Sequence, residues 1–120
     1  MGTDLYVCPL SNYPDGYGPD HDIWHLANNR LSLLRDYGLY NVIKSQNVKE
    51  LPSNVKFEWY FEKGVETTTT DSWGAKLTFV DAREFKKIKT ERFNPSKWNR
   101  AVLKFLASLP PKTPVVLYWY

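Results

Sequence analysis

The chain has 120 residues, 42% of them hydrophobic and 16% aromatic, which suits one domain with a real core and argues against disorder. Cys8 is the only cysteine, so an intramolecular disulfide and a multi-cysteine zinc site are both excluded. The net charge of +3 conceals a split: residues 1–29 carry four Asp and no Lys or Arg, whereas residues 86–112 carry eight basic groups against Glu91 alone.

The first element in chain order is a short strand, Leu5-Tyr6-Val7-Cys8, which Pro9 ends or confines to a sheet edge. Residues 11–22 are dense in Pro, Gly, Asn and Asp and predict an exposed loop. Residues 24–34 fit a helix or a strand. Asp36 is placed to cap a helix running to about Ser45, with Leu39, Tyr40 and Ile43 on one face. A break follows at Leu51-Pro52-Ser53-Asn54. Phe57, Trp59 and Phe61 then alternate with polar residues, the period of a half-buried strand, and Val65–Thr70 predicts its hairpin partner. Asp71-Ser72-Trp73-Gly74 predicts a turn before a short extended piece over 76–80.

Asp81 and Glu84 have capping-box spacing before a helix that buries Ala82, Phe85 and Ile88. Ser96 predicts the cap of a last helix, in which Trp98, Ala101, Val102, Phe105, Leu106 and Leu109 recur at helical spacing as the apolar face. Pro110-Pro111 stops it, and Val115–Tyr120 reads as a buried or central strand. The expectation is a single α+β domain over 1–120. Its small mixed or antiparallel sheet includes both terminal strands and packs against about three helices.

Several of these segments together resemble a family of small, uncharacterised phage and prophage proteins. They are Met1-Gly2-Thr3-Asp4-Leu5-Tyr6, Arg35-Asp36-Tyr37-Gly38-Leu39-Tyr40, Leu51-Pro52, Asp71-Ser72-Trp73 with Leu77-Thr78, and Val115–Tyr120. Chains of that family open Met-Gly-Cys-Asp-Ile-His, carry a central Arg-Asp-Tyr segment and end in an apolar strand. This sequence differs at Thr3, Tyr6 and Gly38, so any chemistry carried by the family's Cys and His is absent here. The resemblance implies a mobile-element accessory protein with no assigned activity.

Three candidate sites follow from the residues. Tyr13, Tyr17 and Trp24 in the loop region 11–25, with Arg30 and Arg35 shortly after, have the composition of a recognition surface. Rigid aromatic area, adaptable Gly and Asn, and two guanidiniums would suit a small anionic ligand or a host protein. The plainer reading is a loop whose tyrosines pack back on the domain. The alternative site is the basic end, where Lys97, Arg100 and Lys104 form one helical stripe and Arg83, Lys86 and Lys87 lie on the neighbouring helix. These cations could contact nucleic-acid phosphates or be an ordinary solvated face.

The third candidate is a metal-dependent enzyme around His21 and His25, with Asp20 and Asp22 beside them. Pro19 and the Gly-rich run place His21 in a loop, and no Glu sits between the histidines, so no metal or other cofactor is expected. Cys8 reads as a small buried apolar residue rather than a nucleophile paired with His25. The resulting expectation is a non-enzymatic binding module. The start lacks a basic leader and no apolar run reaches the ~18 residues of a membrane span, so the expected place is the cytoplasm, that of the host cell if phage-encoded.

Overall fold

The computed structural model describes residues 4–9, 23–25, 30–51, 56–61, 64–89 and 94–120, and of 23–25, 56–61 and 64–68 it describes the backbone. The apolar run Val115-Val116-Leu117 determines the centre of the architecture. It forms part of strand β8 (Pro114–Trp119), the middle strand of a five-stranded sheet. The others are β1 (Leu5–Pro9), β3 (Leu31–Leu33), β4 (Lys49–Glu50) and β7 (Thr78–Asp81), in the order β3-β1-β8-β7-β4. Every neighbouring pair is antiparallel. The two terminal strands therefore lie side by side, with Leu5 opposite Trp119 and Cys8 opposite Val116. Pro9 is the last residue of β1, but it does not make β1 an edge: β3 and β8 flank it.

Alternation along these strands sorts the core. Leu5, Val7, Val80, Val115 and Leu117 face one side, where the helices supply Leu39, Tyr40, Ile43, Phe85, Val102, Leu103 and Leu106. Cys8, Phe79 and Val116 face the other, with Leu51 and Leu77. A central strand apolar on both faces is what a sheet covered on both sides requires.

A second sheet has the order β2-β5-β6, from β2 (Ile23–His25), β5 (Lys56–Phe61) and β6 (Gly64–Thr68). The predicted hairpin is β5 with β6, antiparallel. Strand β2 pairs with β5 in parallel, so residues 23–25 are strand and not the end of a loop. Beyond β6, Asp71 Oδ1 accepts from the amides of Trp73 (2.9 Å) and Ala75 (3.1 Å). Gly74 turns the chain at a φ of +83°, a left-handed conformation that favours glycine.

Helix α1 (Tyr37–Lys44) begins where Asp36 Oδ1 accepts from Leu39 N–H at 3.1 Å, and it buries Leu39, Tyr40 and Ile43 as the periodicity predicts. The segment after β7 differs from the prediction. It is a 3₁₀ helix (Ala82–Lys87), and the Asp81 side chain makes no cap bond. Its carboxylate is drawn instead to Arg83 at 3.1 Å and Lys49 at 3.4 Å, while buried Glu84 pairs with Lys87 at 2.7 Å.

Helix α2 (Lys97–Ser108) starts as predicted, with Ser96 Oγ accepting from Asn99 N–H at 3.1 Å. Its buried face is not the predicted one. Asn99, Val102, Leu103 and Leu106 are buried, whereas Trp98, Ala101 and Phe105 are exposed. The reason is the edge strand β3. Asn99 Oδ1 accepts from Leu34 N–H (2.8 Å) and its Nδ2 donates to Leu34 O (2.9 Å), so the amide supplies the pairing a further strand would give. Trp98 Nε1 donates to Ser32 O at 2.6 Å. Together they cover backbone groups of an edge that would otherwise be open to another chain.

Candidate functional site

Of the aromatic site, Tyr13 and Tyr17 lie outside the described residues, and Trp24 is placed by its backbone on β2, opposite Phe57. The two arginines are described, and both are engaged. Arg35 holds Asp4 through two bonds, Nε to Oδ1 at 3.1 Å and Nη2 to Oδ2 at 2.8 Å. The Arg30 guanidinium lies 5.6 Å from the centroid of the Tyr6 ring, which itself stacks on Tyr120 at 4.3 Å.

These contacts form a clasp where the chain's ends meet. Asp4 and Tyr120 exchange both backbone hydrogen bonds, at 2.6 and 2.9 Å, and Ser72 N–H donates to Trp119 O at 3.2 Å. Segments far apart in sequence thus converge here: 4–6, 35–40, 71–72 and 118–120. A guanidinium already bonded bidentately to a carboxylate is largely neutralised towards a second anion.

The hydrogen bonds from Arg35 hold the Asp4 carboxyl below its ordinary value, and the guanidinium charge adds to that. A depressed folded value makes the pair's contribution fully present above the usual Asp range and lost as pH falls through the lower folded value. Both partners are solvent-exposed, so the effect is small. The stability difference between wild type and Asp4→Asn is therefore expected to shrink between pH 5 and pH 2. Urea midpoints that differ equally at both pH values would contradict this role for the pair.

His21 and Asp22 lie outside the described residues, and His25 sits on β2, its backbone opposite Glu58. Among the described residues no three His, Cys, Asp or Glu side chains gather as metal ligands. Cys8 is fully buried, and burial pushes its thiol above its ordinary value, so it supplies no thiolate near neutral pH. No helix among the described residues is long and apolar enough to cross a membrane.

The basic residues give a clearer geometry. An open groove of about 460 Å³ runs between the 3₁₀ helix and α2. Its apolar lining is Phe85, Ile88, Leu103 and Ala107, and its cations are Lys86, Arg100 and Lys104. Three of the six predicted cations therefore meet around one cleft, although they come from two segments. Arg100 is aimed by its own backbone neighbourhood: Nε donates to Pro95 O at 3.2 Å, and Nη2 lies 3.5 Å from Asn94 Oδ1. Lys86, Lys97 and Lys104 make no ion pair among the described residues. Arg83 and Lys87 do, with Asp81 and Glu84, and so contribute less free charge.

The distribution of charge on α2 runs against the usual helical order. A helix is stabilised by acids in its first turn and bases in its last, each worth about 0.3–1 kcal/mol at low salt. The 3₁₀ helix obeys, with Glu84 early and Lys86 and Lys87 late, and α1 ends on Lys44. Helix α2 does the reverse, with Lys97 and Arg100 near its start, no acid in the first turn and no base in the last. No acidic residue occurs after Glu91. This placement opposes the stability of the helix itself and concentrates positive potential at its N-terminal half.

What the sequence reading missed is the pairing of cations with an apolar floor. Leu103 and Ala107 stand beside Arg100 and Lys104 on the α2 surface. The available signal was that both residues fall outside the predicted apolar face. Compared with protein-family models, curated proteins and solved structures, the chain matches none.

Proposed function

We propose that the protein is a non-enzymatic binding module whose ligand is anionic and is held on the face built by the 3₁₀ helix and α2. The observation that carries this reading is the convergence of Lys86, Arg100 and Lys104 around an apolar floor. Its size falls within the ~300–1,000 Å³ of ordinary ligand sites. An apolar floor between cations suits a ligand with both a charged group and an apolar or aromatic body. The aromatic region with Arg30 and Arg35 is the less favoured site, because those two guanidiniums are engaged by Tyr6 and Asp4.

The test is a titration with fluorescently labelled inorganic polyphosphate at several salt concentrations. Wild type is expected to bind at 25 mM salt, with affinity falling linearly in log–log form as salt rises, because bound cations release condensed counterions. Lys86→Gln with Lys104→Gln should lower the slope by about 2, roughly one per phosphate-contacting cation. No binding at 25 mM salt, or an unchanged slope in the double variant, would reject the groove as the site.

A further inference from the structure

The groove accounts for the cations of α2 but not for its exposed aromatic residues. Trp98 and Phe105 are half exposed, at 50% and 47%, on a helix whose other large apolar residues are buried. They are seven residues apart, so their directions agree to about 20° and they stand roughly 10 Å apart along the helix axis. Ala101 lies between them and is exposed, leaving the surface between the two rings low. Lys97 and Lys104 flank this row on the groove side, each the chain neighbour of one ring. Trp98 is also held in place, since its indole N–H donates to Ser32 O at 2.6 Å. The result is a pair of aromatic faces on one flank of the helix, two lysines about a quarter turn round from them and Arg100 on the far flank, with no acid on the helix.

The geometry points to single-stranded nucleic acid as the anionic ligand, its phosphates at Lys97 and Lys104 and its bases stacked on Trp98 and Phe105. This rests on the reading of the basic face as an anion site. Charge decides the class of occupant: an apolar partner helix needs no cations, whereas a strand that alternates phosphate and base uses both rows. A duplex keeps its bases stacked on one another and offers them to neither ring, so recognition is confined to unpaired strands. Stacking is tolerant of sequence, because every base has a π face, so the specificity expected is for strandedness and not for sequence.

The test compares three labelled probes at 50 mM salt by fluorescence anisotropy: a 15-nucleotide oligothymidylate, a 15-base-pair duplex and polyphosphate of matched charge. The oligothymidylate is expected to bind at least tenfold more tightly than the other two. Phe105→Leu keeps an apolar side chain but removes the ring, and is expected to weaken oligothymidylate binding about fivefold or more. Its polyphosphate affinity and its salt slope should stay at the wild-type values. Trp98→Phe, which keeps a ring but loses the bond to Ser32, should weaken it less. Equal binding of all three probes, or an oligothymidylate affinity unaffected by Phe105→Leu, would overturn the stacking platform and leave the anion site standing. Absence of binding to every probe would remove both.

Discussion

Leu106→Ala is expected to lower the unfolding free energy by about 3–4 kcal/mol, the range for a large-to-small change at a well-packed core site. Leu106 is fully buried in the cluster that joins α2 and the 3₁₀ helix to the helix-facing side of the sheet. The same cluster includes Leu5, Val115 and Leu117 on two paired, inner strands, which cannot shift to fill a void without breaking ladder bonds. The cavity term therefore adds to the lost transfer energy. Against the ~5–15 kcal/mol that holds a domain folded, this is a large fraction. A urea titration with an unchanged m-value should show it as a midpoint shift; a loss under 1 kcal/mol would mean that α2 does not rest on the sheet through this residue.

Asn99→Ala comes next, at about 2–3 kcal/mol. The amide is 1% exposed and makes two hydrogen bonds to the backbone of Leu34. Alanine removes both and leaves a donor and an acceptor of the β3 end without partners. The better helix propensity of alanine, roughly 0.7 kcal/mol, offsets only part of this. Asn99→Asp is the more specific test. Aspartate can still accept from Leu34 N–H, but its charge faces the Leu34 carbonyl. Burial and that carbonyl both favour the protonated form, so the variant's folded-state value is raised. Its deficit relative to wild type should then shrink as pH falls from 7 to 4, because the protonated carboxyl can donate to Leu34 O. A deficit independent of pH would show that the Leu34 contact is not what Asn99 contributes. Both variants also bear on binding, since Asn99 and Leu106 hold the helix that presents Arg100 and Lys104.

Much of the fold was legible from local signals. Asp36 and Ser96 start α1 and α2 because a side-chain oxygen three residues before an amide satisfies a donor that the helix cannot. The alternation through 57–61 marked β5, and the β-branched and aromatic end of the chain marked a central strand. The failures share a cause. Asp81 has the spacing of a cap, but Arg83 two residues on and Lys49 from β4 compete for its carboxylate. In α2, apolar residues occupy more than half the helix circumference, so periodicity defines no single inward face. A polar residue, Asn99, decides the rotation by bonding to an edge strand 65 positions away.

The candidate site divides in the same way. Sequence alone determined that the C-terminal third is basic, that α2 carries a cationic stripe, and that Trp98 and Phe105 share a helical row. These are properties of spacing along one element. Only the tertiary structure decided that Lys86 joins Arg100 and Lys104 over an apolar floor, that Arg35 is occupied by Asp4, and that the two aromatic rings face outward. Each of those outcomes depends on which distant backbone or charge a side chain meets. Periodicity records the direction of a side chain around its own helix, but not what stands in that direction.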